Sequence, residues 1–300
     1  MGLWTDAEVL LAMETAVEVA AEEGLDAAGA TLIRSAGSVL VDLPLAGVIA
    51  RVERPEAIEH ARRQVDVASL CERQRAPVVR IVGPRGQPVL RPGGAVMFLE
   101  RLIPTGERLP PAAHGAALRQ LHERTAGLSP GAGPTFDPFR LLFHWLDEAS
   151  LPELAADLAE VRRRAVGLAA QWSDFASSDP LGEVLVHGDP HTDNVILTTS
   201  GPVFVDLESS GVGPASWDLA VLATGVRRYG TPEHEWSALV DAYGVDPSGS
   251  PSFDALCAVY ELDVIAWAAA SGDRSPHLAA EARLRLDSLL GRSEYTWALL

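Results

Sequence analysis

The chain contains no lysine, so all 24 of its basic residues are arginines. Several kinds of enzyme chemistry depend on a lysine side chain. They include Schiff-base formation, attack by a lysine nucleophile and phosphate binding by the glycine-rich Walker A loop. The absence of lysine excludes all three for this protein.

Cysteine is scarce, and long apolar runs are missing. Cys71 and Cys257 stand far apart and outside any C-x-x-C or Cys/His pattern, which argues against a disulfide framework and against a zinc site. No segment approaches the roughly 20 uncharged apolar residues that span a bilayer. Asp6, Glu8 and Glu14 stand where a secretion signal would be basic. We therefore expect a cytoplasmic protein that does not associate with a membrane.

Positive charge is outnumbered by negative charge. The 41 acidic residues exceed the 24 arginines, which gives a formal net charge of -17, and most of the excess follows residue 100. Such a chain repels a phosphate backbone, so nucleic acid is not expected as a partner. The charge would suit a cationic small molecule, although an acidic surface also serves solubility alone. A hydrophobic content of 47% over 300 residues predicts a globular protein with its own core.

The order of predicted elements changes near residue 100. A helix begins at Thr5, which has Glu8 in capping-box spacing, and a second helix spans 56–75. The β-type runs of this part are 31–34, 38–43, 47–53, 78–82, 89–90 and 96–102. The helical segments that follow are 111–125, 151–176, 215–228, 232–243, 252–271 and 277–291. An island of strand signal interrupts them at 184–186, 195–198 and 203–205.

This order predicts an α+β protein of two lobes. Residues 1–99 form a small N-terminal lobe rich in strands, 100–106 a connector, and 107–300 a larger helical lobe. Two lobes joined by a short connector leave a cleft, which is a common place for a ligand. The sequence shows no repeat or low-complexity segment that would indicate another architecture.

The strand island carries the densest set of chemical groups. It contains the segment His187-Gly188-Asp189-Pro190-His191-Thr192-Asp193-Asn194, and Asp206-Leu207-Glu208 follows further along the chain. A strand leads into each segment, and a carboxylate at such a position suits a general base or a metal ligand. The tight turn at residues 200–201 would bring Asn194 and Asp206 together, and their oxygens suit Mg²⁺ better than zinc. Asp189 would then face whatever the metal holds.

The string H-G-D-x-x-x-x-N followed by D-x-E resembles the catalytic and metal loops of the aminoglycoside phosphotransferase and choline kinase family, which is similar to the protein kinases in fold. The predicted lobe order supports the resemblance, which covers most of the chain. Further support comes from Gly213-Pro214, from Trp217-Asp218-Leu219-Ala220 and from the L-x-x-L-H pattern of residues 118–122. In this resemblance Asp218 would hold the catalytic loop by hydrogen bonds.

The resemblance implies a role for each matching residue. Asp189 would accept the proton of the substrate hydroxyl, and Asn194 and Asp206 would hold Mg²⁺ against the nucleotide phosphates. His187 would brace the catalytic loop, and Glu208 would either ligate the metal or support it. The implied activity is transfer of the γ-phosphate of ATP or GTP to a hydroxyl of a small molecule.

The nucleotide side of the site is also implied by the resemblance. The loop expected to cover the nucleotide contains Ser35, Gly37 and Ser38, with a single glycine to present backbone amides to phosphate. Glu100 and Leu102, where the connector begins, are further candidates for nucleotide binding.

Two positions of the N-terminal lobe depart from the family's pattern. Arg51 takes the strand position that normally offers a lysine to the phosphates. An arginine also occurs there in the family, and it binds phosphate through two nitrogens. The partner that the next helix usually supplies as glutamate is Gln64, with Glu59 or Asp66 as candidates if the helix register differs.

The acceptor is the least defined part of the prediction. In the family, acidic residues between the catalytic loop and the C-terminal helices bind cationic acceptors, so the candidates here are His191, Asp193, Glu261 and Trp267. His191 could equally be a turn residue, and the last two could be a solvated helix face with a core tryptophan. An aminoglycoside-like antibiotic is the first candidate acceptor, which would imply antibiotic resistance. Choline, a sugar, an amino alcohol and a macrolide are the alternatives.

Two other classes compete with this interpretation. The altered Arg51 and Gln64 pair and the glycine-poor loop suggest a nucleotide-binding pseudokinase, but retention of the catalytic and metal-loop residues opposes it. The D-x-H pattern of Asp189 and His191 suggests a metallophosphoesterase, but the chain has no G-N-H segment. The sequence leaves open the nucleotide, the acceptor hydroxyl and the oligomeric state.

Overall fold

A computed structural model describes residues 4–84, 86–129, 131–272 and 275–299 of the chain. These residues form two compact units. The first unit comprises the described residues of Met1–Leu109, Pro130–Pro134 and Asp193–Ser210, and the second those of Pro110–Ser129, Thr135–Thr192 and Gly211–Leu300. The lobe boundaries at 99, 106 and 107 stay a prediction. By its contacts, the segment Asp193–Ser210 belongs to the same unit as the N-terminal residues.

The strands form one larger sheet and two antiparallel pairs. In chain order they are β1 (Thr31–Ser35), β2 (Val39–Leu43), β3 (Val48–Glu53), β4 (Val89–Arg91), β5 (Gly94–Glu100), β6 (Glu183–Val186), β7 (Val195–Thr198), β8 (Gly201–Phe204) and β9 (Gly211–Pro214). The first five lie in the order β1-β2-β3-β5-β4, all antiparallel, while β6 pairs with β9 and β7 with β8. The strand β3 is therefore central in the sheet of the first unit.

The helices are distributed over both units. In chain order they are α1 (Asp6–Glu22), α2 (Ile58–Gln74), α3 (Pro111–Thr125), α4 (Phe139–Glu148), α5 (Ala155–Ala169), α6 (Trp172–Ser177), α7 (Ser216–Arg228), α8 (Glu233–Tyr243), α9 (Pro251–Ala270) and α10 (Pro276–Leu289). The first two belong to the first unit and the others to the second. No helix in the described ranges is both long enough and apolar enough to cross a bilayer.

Helix α1 covers the five-stranded sheet. Its N-terminus has the predicted capping box, in which Thr5 Oγ1 accepts a hydrogen bond from the Glu8 amide and the Glu8 carboxylate accepts one from the Thr5 amide. The buried side of α1, which includes Ala12, Ala16 and Val19, packs with the apolar residues of β2, β3 and β5. The apolar spacing of the sequence therefore sets which side of this helix meets the sheet.

The hairpin of β7 and β8 is tied to the first unit by backbone hydrogen bonds. The Val79 amide donates to the Phe204 carbonyl over 2.8 Å. Arg63 on α2 donates from Nε and Nη2 to the Ser210 carbonyl, over 3.1 and 2.7 Å. These contacts explain why Asp193–Ser210 folds with the sheet and not with the helices that flank it in sequence.

Helix α9 is the centre of the second unit. The helices α4, α5, α7 and α10 pack around it, and its buried residues lie on every side. A helix surrounded in this way needs apolar residues around its whole circumference. That need explains why the segment 252–271 shows so little polar patterning.

Two predicted elements are wrong in detail. The segment 78–82 is not a strand, since it forms only isolated bridges, of Val78 with Phe204 and of Ile81 with Leu99. The helix predicted over 151–176 is split into α5 and α6.

The split of that helix follows from an aromatic contact. Helix α6 starts at Trp172, whose ring packs edge-on against Phe139 and Trp217. Tertiary packing of this ring competes with helix continuity, and the periodicity of the sequence does not reveal such a contact.

Candidate active site

The hairpin of β7 and β8 places two predicted metal ligands, Asn194 and Asp206, on chain segments that lie side by side. Asn194 directly precedes β7, and Asp206 lies two residues after β8. The Val205 amide donates to the Asn194 carbonyl over 2.9 Å, which closes the open end of the hairpin. Asp206 has a φ of 63° and a ψ of 68°, a left-handed conformation that Asp and Asn tolerate better than most residues. Asp193 is exposed in the preceding 3₁₀ turn.

One arginine and three carboxylates of the first unit form what we call the carboxylate cluster: Arg51, Glu53, Asp206 and Glu208. Arg51 Nε donates to Glu53 Oε1 over 2.7 Å. Arg51 Nη1 donates to Asp206 Oδ1 over 2.9 Å, and Nη2 donates to Glu208 Oε2 over 3.3 Å. Burial alone would lower the pKa of Arg51, but the three carboxylates outweigh it and raise that pKa, so the guanidinium stays charged. Arg34 is peripheral, with Nη2 3.6 Å from Asp206 Oδ2.

The chemistry of the carboxylate cluster fits a divalent cation. One buried guanidinium faces three carboxylates, so negative charge is in excess. The side chains of Asp206 and Glu208 are 21% and 50% exposed, and a ligand can reach them. Mg²⁺ prefers oxygen ligands and is commonly held by one or two carboxylates together with water and phosphate oxygens. Within the described ranges no group of three or more His, Cys, Asp or Glu side chains is placed to hold a metal.

The predicted nucleotide-covering loop is a tight turn between β1 and β2. Ser35 is the last residue of β1. The Ala36 amide donates to the Ser38 carbonyl over 3.0 Å. Ser35 and Gly37 are exposed, whereas Ser38 is buried. A turn this short offers few backbone amides to a phosphate group.

Glu100 and Leu102 lie at the end of β5. The Arg80 amide and Nε donate to the Glu100 carboxylate over 3.0 and 2.9 Å. Leu102 is half-buried just beyond the strand. The Glu100 carboxylate is therefore engaged by Arg80, and nucleotide binding stays a prediction for both residues.

A buried aspartate holds the loop of the second unit that the sequence predicts to be catalytic. Asp218 lies in the first turn of α7. Its Oδ2 accepts a hydrogen bond from the His187 amide and its Oδ1 one from the Gly188 amide, each over 2.8 Å. His122 Nε2 lies 2.9 Å from Asp218 Oδ2. Gly188 has a φ of 90°, which favours glycine. These contacts fix the backbone immediately before Asp189.

Asp189 follows the braced backbone and contacts three polar groups. The Tyr260 hydroxyl donates to Asp189 Oδ1 over 3.0 Å. His191 Nε2 lies 3.4 Å from Asp189 Oδ2, and the Asp189 amide donates to His187 Nδ1 over 3.3 Å. The Asp189 side chain is 36% exposed. Its orientation is therefore held while part of the carboxylate remains accessible to a substrate.

Tyr260 and Asp263 lie one turn apart on α9 and shape the electrostatics around Asp189. Burial, and after it the charge of Asp189, raises the pKa of Tyr260 well above its usual value, so the hydroxyl remains a hydrogen-bond donor. Burial, and after it the charge of Asp189, raises the pKa of Asp263 to about 8. Asp263 Oδ1 is buried and has no hydrogen-bond partner in the described part of the chain. Burial and the neighbouring Asp189 charge thus favour the protonated form of Asp263.

Replacing Asp218 by Asn should damage both stability and turnover. The side-chain NH₂ group of the new asparagine would face a backbone N–H of His187 or Gly188, which in the original protein donates to a carboxylate oxygen. Leaving such buried donors unmatched costs about 3 kcal/mol of unfolding free energy. Urea denaturation would measure this loss, and we expect kcat to fall with it because the backbone before Asp189 loosens.

The exposed Asp241 on α8 provides the matched control for that substitution. Asp241→Asn removes one carboxylate of the same unit and should leave the unfolding free energy within about 0.5 kcal/mol of the original. Equal stability of the Asp218→Asn and Asp241→Asn proteins would contradict the bracing role.

Two predicted acceptor residues on α9 have different surroundings. Glu261 is buried, and its carboxylate accepts hydrogen bonds from Arg227 Nε over 3.0 Å and from Arg228 Nη2 over 2.5 Å. Two arginines therefore neutralise the Glu261 carboxylate inside the fold. The presence of a buried glutamate at this position is explained without a bound cationic substrate. Trp267 is half-buried further along the same helix.

The sequence reasoning missed two residues that contact the predicted site. Glu53 stands two residues after Arg51, and the alternation of a strand places both side chains on one face, so a local signal existed. Tyr260 is 71 residues from Asp189, and nothing in the local sequence links the two.

The fold and the site together define a class of enzyme. A five-stranded antiparallel sheet covered by a helix, and a helical unit with a braced aspartate after a short strand, are features of the protein-kinase-like phosphotransferases. The chain belongs to the phosphotransferase enzyme family, whose sequence model matches residues 35–256. It is therefore a small-molecule phosphotransferase, and the predicted α+β, two-lobed kinase-like fold is confirmed.

Solved structures of other proteins share this fold. An amicoumacin kinase, in complex with AMP-PNP, Ca²⁺ and Ami, has a TM-score of 0.71 and 14% identity, covering 97% of this chain and 98% of that one. A choline kinase from Streptococcus pneumoniae has a TM-score of 0.64 and 16% identity, covering 92% and 99%. An aminoglycoside phosphotransferase from Streptomyces rimosus has a TM-score of 0.60 and 18% identity, covering 87% and 99%. At these identities the likeness establishes the fold alone. A comparison with curated protein sequences finds no match.

Proposed function

We propose that this phosphotransferase moves the γ-phosphoryl group of ATP or GTP to a hydroxyl of a small molecule, with Mg²⁺ as cofactor. An aminoglycoside-like compound is the first candidate acceptor. The observation that carries the proposal is the Asp189 carboxylate, which is partly exposed while the backbone before it is held by Asp218.

Asp189 is suited to receive the proton of the acceptor hydroxyl. The acceptor oxygen forms a bond to the γ-phosphorus, the bond to the β-phosphate oxygen breaks, and the nucleoside diphosphate leaves. The hydroxyl proton passes to the Asp189 carboxylate, which Tyr260 holds through Oδ1. This reaction depends mainly on positioning and on charge neutralisation, so a rigid, correctly placed carboxylate contributes much of what is needed.

The first unit would hold the metal and the phosphates. Asp206 and Glu208 offer carboxylate oxygens, and Asn194 offers an amide oxygen. Arg51 offers guanidinium N–H groups, which bind phosphate well. Bound Mg²⁺ supplies charge neutralisation on the phosphates. The excess of carboxylate over guanidinium in the carboxylate cluster supports this assignment.

The acceptor class is supported by charge. The net charge of -17 suits a polycation such as an aminoglycoside, and the product would then be a modified antibiotic. The similar solved proteins are named for an aminoglycoside, for choline and for amicoumacin. Choline, a sugar, an amino alcohol or a macrolide would be handled by the same chemistry at Asp189.

A phosphorylation screen tests the proposal. The protein is incubated with Mg²⁺, ATP or GTP and a panel of aminoglycosides, macrolides, choline, amino alcohols and sugars, and mass spectrometry searches for one added phosphoryl group. We expect a singly phosphorylated product from one acceptor class, and none when Mg²⁺ is replaced by EDTA. The proposal fails if no acceptor is phosphorylated and neither nucleotide binds to the protein.

A further inference from the structure

We propose that Glu53 is the residue that orients the Arg51 guanidinium for the nucleotide phosphates. It would take the place of the helix glutamate that the family's pattern leads one to expect at Gln64. This inference rests on the proposed function, because it assigns Arg51 to the phosphates.

The strand β3 places Arg51 and Glu53 on the same face. Residues two apart in a strand point to the same side of the sheet, and both side chains are buried. The central position of β3, between β2 and β5, restrains its backbone on both edges. Strand geometry thus presets the contact of Arg51 Nε with Glu53 Oε1, whose length is 2.7 Å.

The atoms used in this contact decide which edge of the guanidinium remains for a ligand. A guanidinium has five N–H donors in a rigid plane, one on Nε and two on each Nη. Because Glu53 engages Nε, the Nη edge of Arg51 points toward Asp206 and Glu208, with one hydrogen bond to each. Among the described residues this leaves one further N–H on each Nη, which would serve a phosphate oxygen beside these carboxylates. A lysine would present its three N–H donors from a single nitrogen, without separate edges for Glu53 and for a phosphate.

Helix α2 contributes a neutral amide to this arrangement. Gln64 is buried, and its Nε2 donates to Glu53 Oε1 over 3.3 Å. Glu59 and Asp66 are exposed on the same helix, so the helix register is the one that presents Gln64 inward. Gln64 therefore holds Glu53 and does not itself supply a charge to Arg51.

The identities of residues 53 and 64 are consistent with each other. A glutamate at position 64 would set a second carboxylate against the buried Glu53 carboxylate, and like charges at such a distance repel strongly. Because β3 already supplies the carboxylate of Glu53, residue 64 on α2 needs a side chain that donates a hydrogen bond. Glutamine has such a donor. The departure of Gln64 from the family's pattern is thus explained by Glu53.

Nucleotide-binding measurements without an acceptor test this inference. Calorimetry would compare the Kd of Mg-ATP or Mg-GTP, whichever binds more tightly, with the Kd of the corresponding nucleoside, which lacks phosphates. For Glu53→Gln we expect Mg-nucleotide affinity to fall by about tenfold or more, since the hydrogen bond from Arg51 Nε loses its charged acceptor. Nucleoside affinity should stay the same, which a general loss of structure would not produce.

The milder Gln64→Leu substitution and a surface control complete the test. Gln64→Leu removes the hydrogen bond to Glu53 and should produce a smaller change in the same direction. If thermal unfolding shows that the Glu53→Gln protein does not fold, the nucleotide and nucleoside affinities of Gln64→Leu become the test of the inference. Glu18→Gln, an exposed position on α1, should leave both affinities unchanged.

The outcomes separate this inference from the proposed function. If the unsubstituted protein binds neither nucleotide nor nucleoside, the proposed function fails. If it binds them, and the folded Glu53 or Gln64 variant binds Mg-nucleotide unchanged or loses nucleotide and nucleoside affinity equally, the role of Glu53 is overturned.

Discussion

Asp189→Asn should lower kcat by about 10³-fold, in the middle of the range that general-base catalysis contributes. The amide has the same shape and keeps an oxygen that can accept the Tyr260 hydroxyl bond, so the loop should stay in place. It cannot take up the hydroxyl proton of the acceptor. Steady-state kinetics with the acceptor found in the screen would measure the loss. The Kd of the Mg-nucleotide should remain within about twofold, a change of less than 0.5 kcal/mol, because the residues proposed to hold it belong to the first unit.

Asp174→Asn is the control for this substitution, since Asp174 is an exposed carboxylate of the second unit. Its kcat should match that of the original protein. Turnover by Asp189→Asn at the same rate as by Asp174→Asn would remove Asp189 from the reaction.

Asp206→Asn should abolish most of the effect of Mg²⁺ on nucleotide binding. The substitution removes one carboxylate charge from the proposed metal site and weakens the 2.9 Å contact to Arg51 Nη1. Loss of one ligand charge should lower Mg-nucleotide affinity by about 10- to 100-fold. The measurement is the ratio of nucleotide Kd values without and with Mg²⁺, which does not depend on turnover. That ratio should be large for the original protein and close to one for the variant.

Asparagine is the suitable replacement at this position because of the backbone. Asp206 has a φ of 63°, which Asn adopts readily and Ala does not, so Asp206→Ala would add backbone strain to the loss of charge. Asp66→Asn, an exposed position on α2, is the control. If Asp206→Asn keeps the Mg²⁺ dependence of the control, Asp206 does not hold the metal.

Local patterns of the sequence were sufficient for much of the fold. The capping box at Thr5 and Glu8, the strands of the sheet and the hairpin between Asn194 and Asp206 depend on neighbouring residues. Such features follow from side-chain period, turn chemistry and capping, which a short window of sequence contains. Where a tertiary contact overrode the local pattern, as at Trp172, the prediction of one continuous helix was wrong.

Contacts between distant residues required the folded chain. The guanidinium of Arg51 meets Asp206 across 155 residues, and the hydroxyl of Tyr260 meets Asp189 across 71. Both contacts are made by side chains whose local sequence would fit an ordinary strand or a buried helix. Glu261 illustrates the converse: it looked like a candidate for a cationic substrate, and the fold pairs it with Arg227 and Arg228.

The sequence by itself determined the class of this protein, because the spacing of Asp189, Asn194 and Asp206 is a property of the linear chain. The tertiary structure alone decided how Arg51 is held and which groups surround Asp189. The physical reason is that charge matching and burial depend on what packs within a few ångströms, and packing joins β3 to the hairpin and α9 to the catalytic loop. The local sequence supplies the reactive side chains of the site, and the fold determines the charges and the burial around them.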